Sequence, residues 1–295
     1  MKKKTKIYVG GQAVIEGVMM RGPKTMATAV RTPSGEIVLD VSEPVSLQER
    51  FPILKKPFLR GTVALYESLV LGMKSLGFSA KAAGEDEEEM TDKEIALTMV
   101  FSTVVAIVLF LALPTYAAKW LVPSDASHFM LNLMEGVIRL LLFLLYIWGI
   151  SRTKDIARVF QYHGAEHKTI HAYEHDEELT VENVKKYTRI HARCGTNFLM
   201  IVMVVSILVF AFLGWPSLWE RIVSRVLLMP VVAGIAYEVI RLAGRTENSF
   251  VHTMIAPGLW LQRITTNEPE DDQIEVAIRA LEAVRPEDKD AYEEE

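Results

Sequence analysis

The chain has 295 residues, of which 50% are hydrophobic and 23% are charged, and its formal net charge is -5. A mean hydropathy of +0.20 is unusual for a soluble protein and favours a membrane protein. The single cysteine, Cys194, excludes an intramolecular disulfide, and the region after Met1 lacks the apolar stretch of a cleaved signal peptide.

The first region, residues 1–60, is predicted to be cytoplasmic and to contain β-structure. The segment "TMATAVRTPSGEIVLDVSEPV" alternates apolar and polar residues on both sides of "TPSG", which predicts a β-hairpin. The glycine-rich "GGQAVIEGVMMRGP" matches neither the Walker spacing nor the dinucleotide fingerprint, so its glycines are expected to permit turns and close packing. Glu16 and Arg21 either touch an active site or brace one strand against another.

The next predicted element covers residues 61–84 and begins within "FLRGTVALYESLVLGMKSLGFSA", which is apolar but contains Glu67 and Lys74. We expect an amphipathic helix that lies in the membrane interface or against a helical bundle, and a fifth membrane span stays open. Residues 85–94 form an acidic linker.

Four later stretches are long and apolar enough to cross a bilayer, two within residues 95–150 and two within residues 198–242. They are Ile95–Leu113, Phe129–Ile150, Phe198–Leu213 and Ile222–Ile240. The second stretch contains Glu135 and Arg139 one helical turn apart, which we interpret as a structural pair. The sequence therefore predicts about four transmembrane helices.

The loop at residues 151–197 is rich in Lys and Arg, whereas the other two loops hold little beyond Lys119 and Arg221. By the positive-inside rule this loop faces the cytoplasm. Four spans then place both termini on the same side, in agreement with the lysines after Met1. The expected location is the cell membrane, with a multi-pass topology.

The cytoplasmic loop contains "HGAEHKTIH", in which His163, His167 and His171 follow one another in four-residue steps. On a helix such steps place all three on one face, where histidines can share a zinc ion. Glu166 completes the spelling H-x-x-E-H of inverted zincins, in which the glutamate acts as general base. The alternative is a hydrated polar face of a cytoplasmic helix.

Three further residues are candidate zinc ligands. His191 and Cys194 in "HARCG" are either ligands, groups that orient the ligands, or an incidental part of a basic segment beside the membrane. Glu238 in "AYEVIRLAG" is either a third ligand, as a downstream glutamate is in inverted zincins, or the partner of a basic residue such as Arg241.

Residues 243–295 form a cytoplasmic tail. Apolar residues recur there at helical spacing before Pro286, which predicts a short amphipathic helix packed on the cytoplasmic domain. They are Ile274, Ala277, Ile278 and Leu281.

Five blocks in order resemble the bacterial YqhQ-type family of uncharacterised membrane proteins, which are described as predicted metal-dependent enzymes. The blocks are "GGQAVIEGVMMRGP", "FLRGTVALYESLVLG", "YHGAEHKTIHAYE", "HARCGTNFL" and "APGLWLQRITTNEP". The resemblance implies a membrane protein with metal-dependent chemistry and supplies neither a substrate nor a catalytic residue.

These observations predict a mainly α membrane protein with a β-containing N-terminal region and a helical, His-rich cytoplasmic loop. The expected function is that of a zinc-dependent hydrolase, most simply an inverted-zincin peptidase at the cytoplasmic membrane face. Its partners are the lipid bilayer and a membrane-associated peptide or amphiphile, with no nucleic acid, and its oligomeric state stays open. The alternatives are a non-catalytic membrane factor with a structural metal site, or a transporter or insertase that uses Glu135, Arg139 and Glu238.

Overall fold

A computed structural model describes residues 9–84, 92–215, 217–243 and 249–285. The lysines after Met1, most of the acidic linker and the tail from Pro286 lie outside the described residues. The described chain is mainly helical and begins with an antiparallel sheet in the order β1-β2-β3-β4. The strands are β1 (Gly10–Val14), β2 (Gly17–Arg21), β3 (Met26–Arg31) and β4 (Ile37–Ser42).

The hairpin predicted around "TPSG" is confirmed, since β3 pairs with β4 and Gly35 turns the chain with φ of +88°. The glycine-rich segment differs from its prediction, because it forms a second hairpin, β1–β2, around Ile15 and Glu16. Close packing is confirmed at Gly17, where an added Cβ would lie 2.2 Å from the carbonyl oxygen of Ala29.

Eleven helices follow the sheet in the described residues, with a 3-10 segment at Pro52–Lys55 and a π-helical segment at Val108–Ala112 that joins α3 to α4. They are α1 (Leu47–Arg50), α2 (Leu59–Ala83), α3 (Asp92–Ile107), α4 (Leu113–Leu121), α5 (His128–Ile150), α6 (Lys154–Glu174), α7 (Val181–Lys185), α8 (Gly195–Ala211), α9 (Leu218–Ala243), α10 (Ser249–Thr265) and α11 (Asp271–Val284).

Three helical stretches are long and apolar enough to cross a membrane, and they are Val100–Leu121, His128–Ile150 and Trp219–Leu242. Large apolar side chains such as Trp120 and Leu227 stay exposed on them, which suits contact with lipid tails. The third predicted span forms α8, which has only 17 residues. It packs against α5, α9 and α10.

The helix predicted for residues 61–84 is α2, which lies against the sheet and α9. Its contact with the sheet includes a hydrogen bond of 3.0 Å between the hydroxyls of Thr28 and Ser75. Gly61 allows the close approach to α9, because an added Cβ would lie 2.5 Å from the Cβ of Tyr237.

The opposite face of the sheet is covered by α6 and α11, and together they form what we call the sheet core. Tyr162 of α6 and Leu281 of α11 are fully buried there beside Met20 of β2. The amphipathic tail helix is therefore confirmed as α11. The sequence did not reveal α10, which packs against α8 and buries Gln262 completely.

Candidate metal centre

Helix α6 carries the histidine cluster, as the sequence predicts. It runs unbroken from Lys154 to Glu174 and presents His163, His167 and His171 on one side. The helix packs against both the sheet and α11, and its polar residues are unusually buried: Glu166 is 4% exposed and His167 is 1% exposed. A hydrated polar face does not describe this arrangement.

The segment between α7 and α8 brings His191 and Cys194 to the same place. Its path is fixed by Gln262 of α10, whose side-chain oxygen accepts from the His191 N–H and whose amide donates to the His191 carbonyl, both at 2.8 Å. Asn197 donates to the carbonyl of Ala192 at 2.7 Å. Buried amide side chains thus position a loop that has no regular secondary structure.

Three of the predicted ligands converge, with ligand atoms of His163, His167 and Cys194 all within 4.8 Å of one another. The Nε2 atom of His163 lies 3.1 Å from the Cys194 sulfur. Because a carbonyl oxygen only accepts, the Nδ1 atoms of both histidines must donate to Thr265 (2.8 Å) and Arg189 (2.6 Å). In the neutral rings both Nε2 atoms therefore carry a lone pair instead of a proton, the state that a metal ligand needs.

Two buried atoms of this cluster have no hydrogen-bond partner among the described residues: Nε2 of His167 and Oε2 of Glu166. Burial holds the pKa of His167 well below its usual value and raises that of Glu166 to about 8. Unsatisfied buried polar atoms are rare and costly. Two histidines and one thiol form a donor set that zinc accepts, so the residues present fit a metal ion.

Cys194 also caps the first turn of α8, where its sulfur accepts the N–H of Thr196 at 3.3 Å. Burial raises the pKa of the thiol, while the contacts with Thr196 act in the opposite direction. A divalent cation favours the thiolate strongly. The cysteine is therefore suited to ligation rather than to service as a free nucleophile.

An adjacent group consists of His171, Glu174 and His191, whose ligand atoms also lie within 4.8 Å of one another. Here the polar atoms already have protein partners. The Nε2 of His171 donates to the Ile190 carbonyl at 2.9 Å, and the Nδ1 of His191 accepts the Arg193 N–H at 3.3 Å. The other ring nitrogen of His191 lies 3.5 Å from Glu174, which also pairs with Arg193.

Glu174 was not among the predicted site residues, although its position three residues after His171 on a helix was a usable signal. Burial lowers the pKa of His191 to about 4, so its ring is neutral at physiological pH. This group stabilises the loop beside the three convergent ligands.

Glu238 lies elsewhere, and its predicted role as a zinc ligand is corrected. Its carboxylate accepts from Arg60 at 2.8 and 2.5 Å and from the backbone N–H of Phe58 at 3.3 Å. Arg60 stands at the start of α2, so a bidentate salt bridge fastens α2 to α9. The spacing along the chain carried no information about this partner.

Glu16 and Arg21 brace the fold, as one of their two interpretations predicted, but against helices rather than strands. Glu16 accepts from Arg158 at 2.6 Å and from the Tyr162 hydroxyl at 3.2 Å, both on α6. Arg21 donates to Glu67 of α2 at 3.0 Å.

A cavity of about 660 Å³ opens beside the ligands, between β1, α6 and the start of α8. Its wall includes Gly11, Ala13, Glu166 and Cys194. Strand β1 passes so close to the carboxyl group of Glu166 that an added Cβ on Gly11 would lie 2.8 Å from it. The candidate base and the candidate ligands thus share one space that a small molecule or a chain segment can enter.

Strand β1 is the edge of the sheet, and its free side faces this cavity. The backbone N–H of Arg31 donates to the Glu16 carbonyl. Hydrogen bonding alternates along an antiparallel strand, so residues 16, 18 and 20 bond to β3, whereas residues 17, 19 and 21 bond to β1. The hydrogen-bonded residue pairs between β1 and β2 are then Gly10 with Arg21, Gln12 with Met19, and Val14 with Gly17. The N–H and C=O groups of Gly11 and Ala13 therefore point outward.

Comparison with known proteins supports the sequence resemblance. Residues 56–287 match the model of a family described as "Protein of unknown function (DUF1385)". The chain is 39% identical over 296 aligned positions to "Uncharacterized protein YqhQ" from Bacillus subtilis (strain 168), covering 95% of this chain and 93% of that protein. No solved structure matches the chain.

Proposed function

We propose that this chain, which belongs to the YqhQ-type DUF1385 family, is a membrane-bound zinc-dependent hydrolase that cleaves peptides. One observation carries the proposal: two imidazole lone pairs and a thiol converge beside a buried glutamate whose Oε2 has no partner among the described residues. This combination supplies ligands and a proton acceptor in the same cavity.

The roles follow from the geometry. His163, His167 and Cys194 would hold the ion beside the cavity whose wall they share. When bound, zinc supplies Lewis acidity and makes water a better nucleophile at neutral pH. Glu166, not a ligand, would accept the proton of the attacking water once the bound cation has lowered the raised pKa of its carboxyl group.

The free edge of β1 favours a peptide over a lipid as substrate. Gly11 and Ala13 offer backbone donors and acceptors along the cavity, and an extended peptide can satisfy them as an added strand. A peptide bound in this way would lie in the cavity whose wall also includes Glu166. An acyl chain offers nothing to these backbone groups.

The proposed topology has four crossings, with α8 as the fourth. Its 17 residues span about 25 Å, which is close to the thickness of a thin hydrocarbon core. Since Cys194 stands at its first turn, the metal centre lies at the membrane surface. The basic loop at 151–197 supports a cytoplasmic position for the centre and both termini.

The test begins with zinc content. The purified protein is expected to hold about one zinc ion per chain, and His163→Ala and His167→Ala should each lose it. His175→Ala is the matched control, because His175 lies at the exposed end of the same helix. Full zinc occupancy in both ligand variants contradicts the proposed site.

Catalysis is then tested with a mixed library of peptides and amphiphilic esters, read by mass spectrometry. Glu166→Gln should retain zinc and lose roughly 100-fold or more of the hydrolysis. The N–H of Ala13 points outward and makes no hydrogen bond within the sheet. Ala13→Pro removes this N–H and should reduce peptide cleavage, whereas Ala13→Ser keeps it and should not. Unchanged function in the Glu166→Gln protein, scored by complementation of a deletion, would leave a structural metal site as the better explanation.

A further inference from the structure

A second buried polar cluster surrounds Glu135 at the far end of the helical bundle. Glu135 on α5 is fully buried, and its carboxylate contacts Arg139 of the same helix and Arg221 and Arg225 of α9. The Arg225 contacts measure 2.8 Å, and the hydroxyl of Thr115 lies 3.3 Å away. We call the three guanidinium groups the arginine cluster.

The arginine cluster carries more charge than its partner neutralises. Three guanidinium groups face one carboxylate, so the local net charge is +2. Within the described part of the chain, no carboxylate other than Glu135 lies within ion-pair distance of these arginines. Uncompensated charge beside a membrane-spanning helix is costly, so an anion is expected to supply the missing charge.

The arginines are held in place independently of any anion. Pro114 has no N–H to give the carbonyl of Phe110 four residues earlier, and the Nε of Arg139 donates to that carbonyl at 2.8 Å. The guanidinium of Arg221 stacks on the Trp215 ring, 3.8 Å from its centre. A preorganised set of guanidinium groups loses little conformational freedom when a ligand binds.

Two donor atoms of the cluster make no hydrogen bond with the described residues, and they are the Nε of Arg221 and the Nη1 of Arg225. The Arg225 atom still lies 2.8 Å from a Glu135 oxygen as an ion-pair contact, so the Nε of Arg221, in a side chain only 5% exposed, is the donor that lacks either kind of partner among the described residues. Arg139 and Arg225 keep side-chain exposures of 18% and 12%, so the cluster can be reached from outside the bundle. An unfilled donor beside excess positive charge indicates a missing acceptor.

We propose that the arginine cluster binds a phosphate group, either the headgroup of an anionic membrane lipid or free phosphate. A guanidinium group can donate two parallel hydrogen bonds to two oxygens of one phosphate. One carboxylate has too few oxygens to accept such paired hydrogen bonds from three arginines. Glu135 lies seven residues after the first residue of α5, at a depth of about 10 Å. Arg221 lies only three residues after the first residue of α9, about 4.5 Å from that helix end, so the arginine cluster extends from Glu135 toward the headgroup region.

The test is binding to the purified full-length protein, measured by native mass spectrometry in a neutral detergent. Dioleoylphosphatidylglycerol should bind at least tenfold more tightly than dioleoylphosphatidylcholine. Arg225→Gln should remove this preference, and Arg152→Gln, which changes an arginine at the other end of α5, should not. Millimolar inorganic phosphate should displace phosphatidylglycerol only if free phosphate is the ligand.

Glu135→Gln, measured well below its reduced unfolding temperature, gives a second discrimination. Removal of the competing carboxylate should tighten phosphatidylglycerol binding several-fold, whereas a purely structural salt-bridge cluster predicts no binding in either protein. Arg225→Lys keeps the charge without the planar fork and should weaken binding less than Arg225→Gln, which covers the case in which Arg225→Gln does not fold. Equal binding of both lipids and of phosphate to the wild type and Arg225→Gln overturns the proposal.

Discussion

Glu135 and Glu166 lie on the consecutive helices α5 and α6, and both are buried, but only one of them is surrounded by positive charge. Glu166 on α6 is 4% exposed and has one carboxylate oxygen without a partner, whereas Glu135 on α5 is 0% exposed and contacts three arginines. Burial alone therefore does not determine whether an acid is charged. The partners decide it, and the same substitution should act in opposite directions at the two positions.

The largest effect is expected for Glu135→Gln in neutral detergent. Removing the carboxylate leaves three guanidinium groups facing one another, and breaking a buried pair costs about 3 to 5 kcal/mol. Thermal unfolding of the wild type and variant should show a strong loss of stability. A loss below about 1 kcal/mol would show that the arginines do not depend on Glu135.

Glu166→Gln should stabilise the metal-free protein. The pKa of Glu166 is raised from 4.5 to about 8, so the folded state keeps a proton that the unfolded state releases above pH 4.5. Stability therefore falls as pH rises from 4.5 toward 8, by roughly 3 kcal/mol at pH 7. Glutamine avoids this cost. The difference between variant and wild type should vanish near pH 4.5 when unfolding is measured after chelation.

Much of the contrast between the two acids was accessible from the sequence. The four-residue spacing of the histidines predicted a shared helical face, and Arg139 was read as the partner of Glu135. Arg221 and Arg225 were not, because their pairing joins α5 to α9 across the bundle. Spacing along one helix predicts local contacts, whereas contacts between helices depend on packing angles that one sequence does not encode visibly.

The same limit explains the other differences. Glu238 meets Arg60, which precedes it by 178 positions, so no local pattern linked them. Strand β1 was hidden because its glycines are typical of loops, and only the fold reveals that Gly11 makes room for Glu166. In contrast, α11 was predicted because its apolar face repeats within a single short segment.

A smaller effect concerns the histidines beside the metal centre. The pKa of His191 is lowered from 6.5 to about 4, so the unfolded state gains a proton before the folded state does as pH falls below 6.5. Metal-free protein should lose about 1.4 kcal/mol of stability at pH 5.5 through this residue. His191→Gln should flatten the pH dependence between 6.5 and 4 in chemical unfolding. An unchanged slope would mean that the ring is not kept neutral.

The smallest effect should follow Gly11→Ala. A new Cβ would lie 2.8 Å from the Glu166 carboxyl group, whose flexible side chain can shift aside at little cost to stability. The shift moves the base from its position, so hydrolysis of library peptides should fall by roughly tenfold. Gly10→Ala is the control, since nothing lies within 4 Å of its added Cβ. Equal losses in both variants would remove the special role of Gly11.

Helix α11 has a consequence for how the protein is made. The sheet core is assembled from strands near the start of the sequence, α6 from the middle and α11 from its last part, with the three candidate membrane-spanning helices in between. During synthesis the sheet must therefore wait, with the apolar face that α11 later covers open to solvent, until the last helix leaves the ribosome. The apolar contacts between α6 and α11 therefore form only after nearly all of the described residues have been synthesised.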